Sequence, residues 1–591
     1  MSVAVQAARG AEVRARRESS IQSVTVKRES SASHAIVEAL VARGVDTFFG
    51  VPGGPVSPIC KAILDTEGAR FVESRQETSA AFAAASYHRA TGEVPAIVVT
   101  AGPGATNAVT GIANAHLGRV PLIVIAGDVA WASSGRLLLQ DTGPEGLHME
   151  RMVGHLCRTT SPRSAATQAL AALDAATGAA PGPALCVVPM DRGRGEVEAP
   201  PPVVRAQRET RDTLPLPAVH QAASWLAEAE RPLVVLGAGC RGHEGAVRKL
   251  VDALGVPFVT TPQAKGLVPE THPRSLRHGG MAASLWARAY TAEGVDVALA
   301  LGTDLDDVSV GPTPYVREGG RLIHVDLDPG VFHRNVPAAL PVAADLGAFS
   351  RALARHAAAQ GLLNPRGRAL AKAARDRSPF DVASPEDDER APIAPHRAIL
   401  DLEEAAGEEA RFITDIGGHM LYALHYLTAK RTDRFHIHLR LGSMGSGIAG
   451  AVGLGLADPS RRVVCVCGDG GMQMNGMELL VAADLGLPVV YAVFNDARYN
   501  MVHHGMKQLY GGGGTDWDTR WIDFAAWARS MGVPGIRIHA PGQIDAAQLD
   551  RLQASGPGPV VLDIRIDREL QIRGAGRDEA LQRMSVEGGA S

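Results

Sequence analysis

Short runs of Val, Ile and Leu that do not alternate with polar residues recur along the whole chain. "AIVVTA" and "PLIVIAG" come early, "PLVVLGAG", "VALALG" and "LIHVDLD" in the middle, and "VVCVCGDG", "PVVYAVFND" and "PVVLDIRI" late. A strand that is apolar on both faces must be covered on both faces, as in a parallel sheet layered between helices. Helical patterns such as "ASHAIVEALVARG" and "GMELLVAADLG" lie between the runs. Parallel α/β architecture is therefore expected. Several runs end in Gly-rich turns, and open parallel sheets bind ligands at those carboxyl ends.

Two proline- and charge-rich stretches, 197–217 and 376–395, lack apolar periodicity and read as linkers. They divide the 591 residues into blocks of ordinary domain size. The expected domains are 31–196, 216–375 and 392–570. Residues 1–30 read as a disordered extension and 571–591 as a flexible tail. The beginning of the chain is rich in Arg and Ser but also carries Glu12, Glu18 and Glu29, and it has no hydrophobic signal core.

A net charge of −4 gives no broad attraction to nucleic acid or to a membrane surface. No apolar run is long enough to span a bilayer, so no nucleic-acid or membrane partner is expected, and a cytoplasmic location is. None of the six cysteines is paired in C-x-x-C spacing; they read as small hydrophobes in a reducing compartment.

The sharpest chemical signal is "CVCGDGGMQM" (465–474). A Gly-rich turn after a buried strand suits a phosphate, yet Asp469 sits within it. The next strand ends at Asn495 and Asp496, 27 residues after Asp469. In a β-α-β unit both acids emerge at one sheet edge. Two carboxylates beside a phosphate turn fit a hard divalent cation between them, and Mg²⁺ is held in this way.

The stretch "GDGGMQMNGMELLVAADLGLPVVYAVFND" resembles the signature of thiamine diphosphate (ThDP) enzymes. Similarity to the acetolactate (acetohydroxyacid) synthase family extends over roughly residues 30–570. It is carried by "FFGVPGGPVSPI", "SRQETSAAFAAASYHRATG", "TAGPGATNAVTGIANAHLGRVPLIVIAGD", "LIHVDLDP", "TDIGGH" and "LGSMGSGIAGAVGLGLA". The resemblance implies a pyrimidine-binding N-terminal domain, a central Rossmann-like domain and a C-terminal diphosphate-binding domain.

It also implies roles. Asp469 and Asp496 would ligate Mg²⁺ by side chain and Arg498 by its carbonyl. Gly470, Gly471, Gly418 and His419 would hold the diphosphate. Met444 would be the apolar wedge that bends ThDP, with backbone groups of Gly442 and Met444 on the pyrimidine. Glu77 would be the catalytic acid on the aminopyrimidine, favouring the tautomer whose nitrogen is the base. Gln140 would be a second catalytic residue. Gly54, Leu139, Met501, Val502 and Gly505 would line the substrate pocket.

The departures matter equally. Gly505 stands where anabolic relatives carry the Trp that selects the acceptor, leaving room for a larger one. Met190 replaces a Lys. "HLR" brings His438 and Arg440 near the site, where Arg440 would bind a carboxylate or phosphate, or else lie on the surface. His503 and His504 read as structural or solvent-facing. Asp304 takes the place of a flavin-associated Arg, so FAD is disfavoured. Asp496, where many relatives have Asn, adds a second negative charge and should tighten Mg²⁺ binding.

The expected activity is decarboxylation of a 2-oxo acid, pyruvate by default, with carboligation to a second carbonyl compound. The alternatives are a simple decarboxylase releasing aldehyde and a non-catalytic ThDP-fold protein. The family joins the N-terminal domain of one subunit to the C-terminal domain of another, so a homodimer or homotetramer is expected.

Overall fold

The computed structural model describes residues 30–572, apart from 134, 137, 144–145, 155–157, 161–165, 179, 198–213, 312–313, 512–516 and 555–557. Nearly all of the expected N-terminal extension and of the expected tail lie outside the described residues, Ser30 being the start of a short strand. So do Cys157 and most of the first expected linker.

The apolar runs form three six-stranded sheets in which every strand pair is parallel. The first sheet is ordered Arg70–Glu73, Thr47–Gly50, Ala96–Val99, Leu122–Asp128, Pro183–Pro189, Arg158–Thr160. The third is ordered Phe435–Ile437, Arg411–Thr414, Val463–Gly468, Val489–Asn495, Val560–Arg565, Gly535–Ile538. Numbered along the chain, both read 2-1-3-4-6-5. The middle sheet, from Ser275–His278 at one edge to Leu340–Ala343 at the other, reads 3-2-1-4-5-6, the order of dinucleotide-binding folds. The two outer domains are thus topological copies, and the central one is not.

The outer domains share one core. Phe49, Val99 and Val124 of the first and Ile448, Cys465 and Tyr491 of the third belong to a single buried cluster. Its seam is the contact between helix Glu77–Thr91 and helix Ser446–Ala457. The sequence allows close approach there because the first helix is Ala-rich and the second carries Gly at 447, 450, 453 and 455. A methyl on Gly453 would lie 2.0 Å from the carbonyl oxygen of Ala83. Small side chains let the two backbones nearly touch, and density of this kind leaves no space for added atoms.

The 376–395 stretch is built into the fold. Phe380 stacks on Tyr426 at 5.2 Å, the Arg277 guanidinium lies 4.8 Å over Phe380, and His425 Nε2 is 3.4 Å from Asp381. Proline and charge hid one aromatic anchor that fills a gap between the central and C-terminal domains. Cys240, Cys465 and Cys467 are buried free thiols, Cys186 is buried as well, and burial pushes Cys240 well above its ordinary range. No helix among the described residues is long and apolar enough to cross a membrane.

Candidate active site

A cavity of ≈ 250 Å³ opens at the carboxyl edge of the third sheet. Gly418 and His419 enter it from the start of helix Gly418–Tyr426, and Gly442 and Met444 from the loop after strand Phe435–Ile437. Asp469, Gly470 and Gly471 follow strand Val463–Gly468, and Asp496 and Arg498 follow strand Val489–Asn495. Met501, Val502 and Gly505 project from helix Asn500–Tyr510. Parallel strand order brings these separate segments together.

Asp469 and Asp496 are buried, 6% and 5% exposed. Burial pushes Asp469 up to about 6, against N–H bonds from Gly470, Ala497 and Arg498. Burial and then the charge of Asp469 push Asp496 up to about 7. Two buried acids that repel each other call for a cation. Among the described residues, no group of three or more His, Cys, Asp or Glu is placed to hold a metal. A metal held by these two acids must therefore take its remaining ligands from backbone carbonyl, water or a bound phosphate.

The His419 ring is buried, its Nε2 has no hydrogen-bond partner, and burial lowers it to about 4. The ring already bonds the Asp415 carbonyl, so the orphaned Nε2 beside bare glycines meets a phosphate oxygen as a donor once protonated, a state the phosphate's own negative charge favours. A methyl on Gly470 would come within 2.9 Å of Met444 Cε and 2.8 Å of Tyr499 Cε1. The glycine, the methionine and the tyrosine therefore bound one narrow space. The donor set and the cradle fit a magnesium diphosphate.

Asp415 was not singled out from the sequence. Its carboxylate accepts the N–H groups of Gly445 at 2.9 Å and Gly447 at 3.0 Å, pinning the turn that follows Met444. A methyl on Gly471 would strike the same carboxylate at 2.1 Å. Burial pushes Asp415 up to about 6. The signal was present in "TDIGGH": an acid at a buried strand end, followed by a Gly-rich helix start.

Glu77, Gln140, Leu139 and Gly54 do not line this cavity. Glu77 is 7% exposed and accepts a bond from Asn107 Nδ2 at 3.1 Å. Its Oε1 lies 3.2 Å from where a methyl on Gly104 would be, and Gly102 packs against Gln140. Glu77 and Gln140 thus share one face of the N-terminal domain, at the start of helix Pro103–Leu117. Leu139 beside them is 89% exposed. Gly54 is exposed as well.

Arg440 also lies off the cavity. Its guanidinium pairs with Asp304 at 2.8 Å and Asp306 at 3.0 Å in the central domain. His438 is buried between Ser86 Oγ at 2.7 Å and Asn114 at 3.2 Å, and burial holds it well below its ordinary range. His504, by contrast, lines the cavity, as do Gln571 and Ile572 at the beginning of the expected tail.

The chain matches three family models: the N-terminal TPP binding domain of thiamine pyrophosphate enzymes over residues 30–149, the central domain over 219–353, and the C-terminal TPP binding domain over 415–564. It is 31% identical over 549 residues to a probable acetolactate synthase large subunit of Methanocaldococcus jannaschii, covering 90% of this chain and 92% of the relative.

The chain belongs to the acetolactate synthase family of thiamine pyrophosphate enzymes. Other family members are similar to the same extent. The acetolactate synthase large subunit of Parasynechococcus marenigrum is 32% identical over 91% of this chain and 88% of its own length. The isozyme 2 large subunit of Escherichia coli is 30% identical over 93% and 99%. This acetolactate synthase-type chain is thus a ThDP-dependent enzyme whose three sheets correspond to the three family domains.

Proposed function

We propose that the enzyme decarboxylates a 2-oxo acid, pyruvate by default, and joins the remaining acyl group to a second carbonyl compound. The bond between the donor's carbonyl and carboxyl carbons breaks, CO₂ leaves, and the electron pair stays with the carbonyl carbon. That carbon bonds to the acceptor's carbonyl carbon, whose oxygen takes up a proton, and a 2-hydroxy ketone results. Bound ThDP supplies an acidic ring carbon and an electron sink for this chemistry. The observation that carries the reading is the pair Asp469 and Asp496 beside the unpartnered His419 nitrogen and the glycine cradle at Met444.

This chain's own residues divide the work. Asp469, Asp496 and the Arg498 carbonyl hold Mg²⁺. His419, Gly418, Gly470 and Gly471 hold the diphosphate, and Met444, on the turn braced by Asp415, wedges the pyrimidine. Glu77 holds a proton at the pyrimidine nitrogen, and Gln140, Leu139 and Gly54 face substrate. Domains 31–196, 216–375 and 392–570 carry these parts. Because Glu77 and Gln140 do not line their own chain's cavity, a second copy supplies them, and the working unit is at least a homodimer.

Mass spectrometry of products and CO₂ from a panel of 2-oxo acids and acceptors, with ThDP and Mg²⁺ supplied, tests the reaction. Aldehyde as the sole product would assign a simple decarboxylase instead. Mixing inactive Glu77→Gln and Asp469→Ala proteins tests the shared site. Mixed dimers regain one intact site, so activity returns; a mixture that stays inactive places the whole site in one chain.

A further inference from the structure

Arg277 belongs to the edge strand Ser275–His278 of the central sheet. Ser275 stands opposite Phe258 and His278 opposite Thr260, so the edge strand carries one extra residue. A bulge of this kind re-aims a side chain. Arg277 lies in the bulge at a φ of 64°, a left-handed conformation that a non-glycine residue keeps only when its surroundings hold it. The bulge turns its side chain into the C-terminal domain, where it is 3% exposed and meets the far end of helix Gly418–Tyr426. Nη2 donates to the carbonyl oxygen of Leu427 at 2.7 Å and to that of His425 at 3.2 Å, with Tyr426 O at 3.5 Å.

A helix leaves its last carbonyls without partners, and a glycine commonly turns the chain to satisfy them. This helix ends instead on Leu427, at φ −63° and ψ 132°, and Arg277 supplies the missing donor from 150 residues away in the chain. The same end is tied further. Glu270 accepts the Ala429 N–H at 2.8 Å and donates its own N–H to Ala429 O at 2.9 Å. The Glu270 carboxylate also holds Lys265 at 2.6 Å and Arg277 at 3.5 Å. His425 Nδ1 donates to Ala282 O at 3.1 Å, so Nε2 of the buried neutral ring accepts the Asp381 N–H at 3.0 Å. Phe380 lies against the Arg277 guanidinium and stacks on Tyr426. The last turn is thus clamped by the central domain on one side and by the 376–395 stretch on the other.

At the other end of the same helix, Gly418 and His419 line the cavity. His419, Tyr422 and Tyr426 recur at i, i+3 and i+7 and share one face. The first two line the cavity, and the third is in ring contact with Phe380 and His396. We infer that Arg277 is a positioning residue for the diphosphate: by capping the last turn of helix Gly418–Tyr426, it fixes the tilt and rotation with which Gly418 and His419 meet the phosphates. This rests on the assignment of Gly418 and His419 to the diphosphate above. The helix has nine residues and is about 14 Å long. The pull of a cation on the helix dipole fades within one turn, so the influence of Arg277 is geometric. A rod tilted at one end is displaced at the other, and hydrogen bonds weaken steeply with misalignment.

The test titrates the full-length chain, freed of cofactor, with ThDP and separately with inorganic pyrophosphate, each with excess Mg²⁺, in a calorimeter. Arg277→Gln should weaken both ligands by the same factor, about tenfold, the worth of one charge-assisted hydrogen bond. Phe380→Leu removes a half-buried ring from beside the guanidinium and serves where Arg277→Gln does not fold. It should weaken both ligands about threefold. Saturating ThDP should bring turnover of either variant to within about threefold of wild type, an effect on KM and not on kcat. Affinities equal to wild type in the variants that fold, whatever their urea midpoints, overturn the inference and leave the cofactor assignment standing. So does loss of ThDP affinity with pyrophosphate affinity intact, or a turnover defect that saturating ThDP does not relieve. Wild-type protein that binds neither ligand overturns the cofactor assignment itself.

Discussion

Glu478 of the C-terminal domain accepts the backbone N–H of Arg75, two residues before Glu77, at 3.0 Å. Ser79, two residues after Glu77, receives Asn475 Nδ2 at 2.6 Å. The turn that presents the proposed catalytic acid is thus held from the segment that begins at Asp469.

Burial pushes Glu478 up to about 7 from its ordinary 4.5. Between those values the folded chain keeps a proton that the unfolded chain has lost, so stability falls as pH rises through that window. The full effect reaches about 3 kcal/mol. Glu478→Gln should flatten this part of the profile and raise stability above pH 7. Thermal unfolding of the metal-free protein from pH 4.5 to 8 checks it, and identical slopes in both proteins would refute it.

Gly453→Ala places a methyl against the Ala83 carbonyl, where only backbone can yield. A loss of about 2–4 kcal/mol is expected, read as a lowered urea midpoint. Gly450→Ala, which meets the Ser86 hydroxyl at 2.6 Å and Ile413 Cδ1 at 2.7 Å, should cost less because side chains and not backbone must yield, the cost being the Ser86 bond to His438.

Asp415→Ala strands two buried N–H groups at Gly445 and Gly447. Unsatisfied donors of this kind cost about 1–3 kcal/mol each. ThDP affinity should drop tenfold or more in a calorimetric titration, with Asp415→Asn retaining part of it.

Asp496→Asn removes one of two mutually repelling buried acids. The metal-free protein should melt higher than wild type, and Mg²⁺ with ThDP should bind more weakly. Equal metal affinity in the two proteins would show that the second charge does not contribute.

Much of the cavity's lining could be read before any coordinates. Asp469, Asp496, Gly418, His419 and Met444 sit at strand ends or in Gly-rich turns, and strand ends in parallel sheets converge on one edge. The double apolar runs likewise announced buried parallel strands. Asp415 was less legible because its partners are backbone groups 30 and 32 residues away, which no side-chain pattern encodes. Gln571 and Ile572 were hidden by a polar, Gly-rich tail whose first residues are strapped to the helix at Asn500.

The sequence by itself determined the sheet class, the meeting of two acids at a Gly-rich turn, and membership of a ThDP family, since these depend on local periodicity and short-range spacing. Tertiary structure decided which charges are free. Arg440 and Arg498 look alike as residues, yet each is neutralised by acids far away in the chain: Asp304 and Asp306 for one, Asp518 and Glu569 for the other. It also decided that Glu77 stands apart from its own chain's cavity. Charge pairing and domain placement are long-range properties, fixed only when the strands have packed.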